Sequence, residues 1–280
     1  MEYRYLGRSS VKVSPLCIGT MMFGDRTDMK EAERIVKSAR DAGVNFIDTA
    51  DPYAGGESER IVGKLIAQDR DYWVLASKSG NPLSDSPNEM GLSRKWLTQA
   101  CNDSLKRLNT DYLDIFYLHR DFEHRGLEEA IETVGDLIRS GKTRYFGISN
   151  FRGWRIGEVI RLCREGGVPQ PVVLQPYYNA MNRQPEVEIL PACDNYGIGV
   201  VPYSPIARGV LTGKYKPGEA PAADTRAGRK DKRMMETEFR EESLVIAQQF
   251  VEYAKKKGIT PGQLAFAWVL ANRIIDSVIG

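Results

Sequence analysis

Apolar runs of four to seven residues alternate along the chain with longer amphipathic stretches, and that alternation constrains the fold more than any other feature. The runs are LCIGTM (16–21), VNFID (44–48), YWVLAS (72–77), LDIFYLH (113–119), TRYFGIS (143–149), VVLQ (172–175), IGVVPYS (198–204) and IIDSVIG (274–280). Most are apolar throughout, as strands are when a parallel sheet is covered on both faces. Between them the spacing predicts helices. Residues 30–42 set Ala32, Ile35, Val36 and Ala39 on one face and stop at Gly43, and residues 57–68 open with the early acids Glu57 and Glu59. Ser93 is placed to cap a helix reaching Leu108. Helices over 127–140, 154–165 and 186–196 are closed by Gly141, Gly166 and Gly197. Residues 243–257 are amphipathic, and Pro261 opens a last helix running to Ala271. Alternation around Gly7-Arg8-Ser9-Ser10 predicts an N-terminal hairpin, while the polar, highly charged stretch 216–240 reads as a mobile surface loop.

Eight β/α units in 280 residues predict an α/β fold, a (β/α)8 TIM barrel forming one domain. A doubly wound open sheet is the competing arrangement. It would carry G-x-G-x-x-G after its first strand, and Gly19-Thr20-Met21-Met22-Phe23-Gly24 does not match. The segment from Gly209 to Lys214 resembles a phosphate loop but is one residue short, and Tyr215 follows the lysine where Ser or Thr is needed. Because the eighth strand reaches the last residue, an eighth helix and a C-terminal tail are expected to be absent from this chain.

Composition narrows the function classes. A formal net charge of +2 is too small to point to nucleic acid or a membrane surface. No apolar run is long enough to span a bilayer, and the start MEYRYLGRSS lacks the apolar core of a signal peptide, so a cytoplasmic location is expected. Cys17, Cys101, Cys163 and Cys193 are far apart, form no CxxC pair and are accompanied by only two histidines. They are read as core residues, with no metal site and no disulfide framework. Nothing in the sequence fixes an oligomeric state.

In an eight-stranded barrel the C-terminal ends of the strands and the loops after them build one functional face. Asp48 and Tyr53 follow the second strand, Lys78 the third, and His119 ends the fourth. Each alone has a plain structural reading: Asp48 in a turn, Lys78 solvated, His119 a core histidine. Together on adjacent units they can meet. A phenol with a pKa near 10 is a poor acid at neutral pH, and an ammonium beside it favours the phenolate. Opposite charges about 4 Å apart attract by roughly 4 kcal/mol at an effective dielectric of about 20, so Lys78 is expected to lower the Tyr53 pKa, with Asp48 holding Lys78 in place. Neutral His119 can orient a substrate oxygen. The set suits protonation of an oxygen as charge develops on it, as in carbonyl reduction, for which a nicotinamide cofactor must supply the hydride.

The sequence resembles the aldo-keto reductase family over nearly its whole length. The resemblance rests on IGTM (18–21), FIDTADPY (46–53), GESE (56–59), SK (77–78), YLH (117–119), GISNF (147–151), LQPYYN (174–179) and VPYSPIARGVLTGKY (201–215). It implies a catalytic tetrad of Asp48, Tyr53, Lys78 and His119, with Tyr53 the proton donor to a small-molecule carbonyl substrate. It also implies NADPH as cofactor, with contacts from Thr20, Met21 and Asp48. Ser149, Asn150 and Gln175 would hold the carboxamide, and Tyr203 would stack on the nicotinamide. Ser204, Pro205, Ile206, Arg208 and Gly209 would lie along the pyrophosphate, with Lys214 and Arg226 as phosphate contacts. Ser149 and Asn150 can also be read as a helix N-cap. Two features depart from the family pattern. Ala54 stands where many members have Gly, and the stretch that binds the adenosine 2′-phosphate would lie beyond residue 280. The preference for NADP over NAD therefore comes from the resemblance.

Competing readings are a cofactor-binding regulatory subunit, as in the potassium-channel β-subunits, and an aldolase forming a Schiff base on Lys78. Met22, Phe23 and Trp73 are apolar candidates for the substrate rim, Trp73 being better read as core. Arg120, next to His119, is a candidate for attracting an acidic substrate group.

Overall fold

The computed structural model describes residues 1–122 and 125–280. Two short antiparallel strands, β1 (Arg4–Tyr5) and β2 (Lys12–Val13), form the expected hairpin. Eight parallel strands follow in one sheet: β3 (Leu16–Gly19), β4 (Phe46–Asp48), β5 (Val74–Ser79), β6 (Leu113–Leu118), β7 (Thr143–Ser149), β8 (Val173–Gln175), β9 (Gly199–Val200) and β10 (Val278–Ile279). Their spatial order is β10-β3-β4-β5-β6-β7-β8-β9. The edges close on each other through the parallel bridge between Val200 and Ile275 and through the Ile279 amide, which donates to the Pro202 carbonyl at 2.9 Å. The fold is the (β/α)8 barrel that the alternation predicted.

Helices lie between the strands: α1 (Met29–Asp41), α2 (Glu57–Ile66), α3 (Arg94–Leu108), α4 (Leu127–Arg139), α5 (Gly153–Glu165), α6 (Ile189–Tyr196), α7 (Lys232–Thr237), α8 (Glu241–Lys256) and α9 (Pro261–Leu270). Ser93 caps α3 by accepting the Trp96 amide, and Thr260 with Gln263 forms a capping box around Pro261. Among the described residues no helix is long and apolar enough to cross a membrane.

The strands send alternate side chains to two cores. Ile18, Ile47, Leu75, Phe116, Phe146 and Leu174 face outward and pack under the helices. Cys17, Phe46, Val74, Ala76, Ile115, Tyr117 and Val173 fill the barrel interior, closed below by Leu6 and Val13 of the hairpin. This alternation carries Asp48 and Lys78, two residues beyond Phe46 and Ala76, to the inner side at the top of the barrel. Gly147 makes room for the Tyr117 ring, whose nearest carbon would lie 2.5 Å from an added Cβ. The four cysteines are buried and free.

Three expectations are corrected. The strand predicted over 198–204 is regular only at Gly199–Val200; Pro202 has no amide to donate, yet Val201 and Tyr203 still donate to the Leu174 and Pro176 carbonyls at 3.0 Å, and Tyr203 forms an isolated parallel bridge with Tyr177. The stretch 216–240 is not wholly a surface loop: it holds α7, and part of it is buried. Tyr215, Ala227 and Met234 are buried against Leu244, Ala247 and Ala265 in a third core, and Asp231 caps α7 through the Met234 amide at 2.9 Å. Phe23 is buried and Trp73 is 2% exposed, so of the three apolar rim candidates only Met22 reaches the cavity described next.

Candidate active site

A cavity of about 880 Å³ opens at the C-terminal end of the barrel, near the upper end of the size range of small-molecule sites. Tyr53 and His119 line it, as do Thr20, Met21, Asp48, Ser149, Asn150, Gln175, Tyr203, Ser204, Pro205, Ile206, Arg208, Gly209, Lys214 and Arg226. Sequence positions 127 residues apart, Asp48 and Gln175, come within hydrogen-bond distance there, with Gln175 Nε2 donating to Asp48 Oδ2 at 2.9 Å.

Lys78 is fully buried behind the cavity wall. Its ammonium donates to Asp48 Oδ1, to the Thr49 carbonyl at 2.7 Å and toward Tyr53 Oη at 3.4 Å. Strand register produces this: Asp48 of β4 pairs with Ala76 of β5, so Lys78 reaches beyond the end of β4 and under the loop carrying Tyr53. Burial opposes the charge on Lys78, but Asp48 and Tyr53 outweigh it, so its pKa is raised and it stays protonated. Burial likewise pushes the Asp48 carboxyl up, against the pull of Lys78 and Gln175. Tyr53 departs from expectation. Burial raises its pKa, and the opposing pull of Lys78 does not reverse the shift. In this environment the phenol therefore holds its proton throughout the neutral range.

The His119 ring meets the Tyr53 ring edge-on, with centroids 5.9 Å apart. Burial, then the positive charges of Lys78, Arg233 and Arg120, push its pKa well below the usual value, so the imidazole is neutral at pH 7. Its Nδ1 has no hydrogen-bond partner among the described residues.

On the far side of His119 a polar chain crosses three strands. Asn150 Nδ2 donates to the His119 carbonyl and to Ser149 Oγ, both at 3.0 Å, and Tyr203 Oη donates to Asn150 Oδ1 at 2.8 Å. The helix-cap reading of Ser149 and Asn150 fails, because α5 starts at Gly153 with Arg152 at the cap position, and the Gly153 amide donates instead to Glu188 Oε1 at 3.2 Å. One face of the Tyr203 ring is backed by Tyr177, with centroids 5.6 Å apart and planes inclined by 24°. Asn179 Nδ2 supports the Ser204 carbonyl at 3.0 Å. Among the described residues, five of the seven non-glycine residues with positive φ lie around this rim: Ala54, Asn150, Ser204, Ala207 and Arg208. Such strained backbone gathers where a site is held in a set geometry.

From 216–240 the sequence reading drew only Arg226 and missed the rest of the contribution. Arg229 and Arg233 line the cavity, and Arg233 Nη2 donates to Tyr203 Oη at 3.1 Å. Glu238, 3% exposed, accepts from Tyr177 Oη at 2.7 Å and pairs with Arg208 at 2.8 Å. The visible signal was Asp231 three residues before Met234, a cap before an apolar anchor. The burial of Glu238 has no signature in a charged stretch.

The comparisons agree with this architecture. The sequence model of the Aldo/keto reductase family matches residues 15–280. The chain belongs to the aldo-keto reductase family. Its similar relatives include a probable voltage-gated potassium channel subunit beta of Oryza sativa subsp. japonica, 36% identical, covering 100% of this chain and 86% of the relative. The uncharacterized oxidoreductase YrpG of Bacillus subtilis is 37% identical with the same coverage. L-glyceraldehyde 3-phosphate reductase of Escherichia coli K12 is 32% identical, covering 100% of this chain and 83% of the relative. This aldo-keto reductase is accordingly an oxidoreductase by family.

The cavity chemistry fits a nicotinamide dinucleotide. Seven cationic side chains line it against three carboxylates, suiting phosphate groups. Ser149, Asn150 and Gln175 offer the donors and acceptors a carboxamide needs, and Tyr203 presents an aromatic face.

Proposed function

We propose that this aldo-keto reductase reduces aldehydes or ketones to alcohols, with NADPH as hydride donor and Tyr53 as proton donor. The observation that carries the reading is the buried ammonium of Lys78, held by Asp48 and set 3.4 Å from Tyr53 Oη. The nicotinamide, when bound, supplies the hydride that adds to the carbonyl carbon. All other steps belong to side chains of this chain. His119, neutral and beside Tyr53, orients the carbonyl oxygen. Tyr53 passes its hydroxyl proton to that oxygen as negative charge grows there, forming the O–H bond of the alcohol. Lys78 offsets the phenolate left behind, and Asp48 and the Thr49 carbonyl keep Lys78 in position. The raised Tyr53 pKa keeps the proton available at neutral pH, and the nearby ammonium favours its release once the acceptor gains charge. Ser149, Asn150, Gln175 and Tyr203 hold the nicotinamide, while the 204–209 segment, Lys214 and Arg226 face the phosphates. The choice of NADPH over NADH follows the family resemblance.

The paired, protonated Lys78 disfavours a Schiff-base aldolase, which needs a neutral amine. A screen of aldehydes and ketones with NADPH and NADH, followed by cofactor absorbance, tests the reading. Tyr53→Phe is expected to lower turnover by about 10²–10⁴-fold with cofactor affinity retained. A fully active Tyr53→Phe enzyme would sink it.

A further inference from the structure

We propose that the preferred carbonyl substrate carries an anionic group, a carboxylate or phosphate monoester, engaged between Arg120 and Arg233 at the substrate side of the cavity. The inference rests on the reductase reading and names its substrate class.

The two arginines reach the cavity from opposite elements. Arg120 directly follows His119 at the end of β6, is exposed, and lays its guanidinium over the Phe122 ring at 5.1 Å. Among the described residues it makes no ion pair. Its neighbour Asp121 does not neutralise it, because both Asp121 oxygens accept from Arg155 Nε at 3.1 Å. Arg233 comes from α7 and donates to Tyr203 Oη at 3.1 Å, with its guanidinium 5.5 Å from the centre of that ring. It too makes no ion pair among the described residues. Tyr203 is tied through Asn150 to the His119 carbonyl, so both arginines are anchored around the same histidine.

Of the other cavity charges, Arg226 and Arg229 likewise make no ion pair among the described residues, Arg226 lying 3.4 Å from Met22 Sδ, while several are already placed. Asp48 is taken by Lys78, and Arg208 by Glu238. Lys214 lies against Gly209, where an added Cβ would come within 2.9 Å of its Nζ, on the segment facing the cofactor phosphates. Arg120 and Arg233 are the two arginines whose charge acts on His119, and Arg233 also acts on Tyr53. An anionic carbonyl compound supplies the acceptors that the planar donor sets of these two guanidinium groups match, which a neutral one does not.

Two matched substrate pairs test this: 4-carboxybenzaldehyde against methyl 4-formylbenzoate, and 4-formylphenyl phosphate against 4-methoxybenzaldehyde. The proposal expects the anionic member of at least one pair to be favoured in kcat/KM by tenfold or more, and the two pairs distinguish carboxylate from phosphate. Arg120→Met and Arg233→Met should each remove most of that ratio, chiefly through KM, and the preference should weaken as salt is raised. Cofactor affinity, measured by binding without substrate, separates substrate from cofactor roles. An anion-to-neutral ratio unchanged in both variants overturns the proposal, as does an equal loss for both members of each pair. Should the wild type bind cofactor but reduce no carbonyl of either kind, the reductase reading falls and the proposal falls with it.

Discussion

Asp51 lies two residues before Tyr53, fully buried, with neither carboxylate oxygen hydrogen-bonded among the described residues. Burial pushes its pKa from 3.8 up to about 7, helped by the nearby Glu59 carboxylate and opposed by the Ser79 hydroxyl, Arg107 and Lys78. Glu59 itself is held by Arg107 at 2.6 Å and by Ser77 at 2.5 Å. Between about pH 4 and 7 the unfolded chain has Asp51 ionised while the folded chain keeps it protonated, so folding takes up a proton. Stability therefore falls as pH rises through that window, by up to about 4 kcal/mol for a shift of roughly three pKa units. Asp51→Asn removes this penalty. Urea unfolding at pH 5 and pH 8 should show the variant gaining on the wild type considerably more at the higher pH; parallel pH profiles would refute the assignment. The same physics explains the one wrong sign in the sequence reading of the site. Charge neighbours of Tyr53 could be inferred from spacing, but the desolvation that outweighs Lys78 depends on what covers the ring, and that is set by distant segments.

The loop from Tyr53 to Gly56 is a tight 3-10 turn with Ala54 at φ 49° and ψ 38°, Gly55 at φ 62° and Gly56 at φ 88°. A left-handed alanine costs about 1–2 kcal/mol, against about 0.5–1 kcal/mol that glycine loses through its freer unfolded chain. Ala54→Gly is thus expected to stabilise the protein by about 1 kcal/mol and to leave kcat within twofold, read from the urea midpoint and a steady-state assay. A lower midpoint would mean that the Ala54 methyl contributes packing that offsets the strain. Most elements were legible at this scale because their signals are local: Ser93 before Arg94, Gly197 after Tyr196, Pro261 after Thr260. The stretch containing α7 was not. Its sequence is charged, and its order comes from three apolar residues, Tyr215, Ala227 and Met234, packed against α8 and α9.

Across the whole molecule, stability and chemistry sit at opposite ends of one barrel. Leu6 and Val13 of the hairpin close the bottom, where Arg4 donates to the Ile275 carbonyl at 2.8 Å and the Gly7 amide to Asp276 at 2.9 Å. Leu6→Ala should cost about 2–5 kcal/mol, measured by chemical denaturation, with kcat within a few-fold of wild type. A large loss of kcat in the folded variant would show that the two ends are coupled. By itself the sequence determined the barrel, the order of its units, and the gathering of Asp48, Tyr53, Lys78 and His119 at one rim, because strand periodicity and helix caps are encoded within a few residues; the expected cofactor contacts came from the family resemblance. Only the tertiary structure decided the direction of the Tyr53 shift, the burial of Lys78 and Glu238, and the arrival of Arg233 beside Tyr203. Each depends on which distant side chains exclude water from a charge, and no local pattern carries that information.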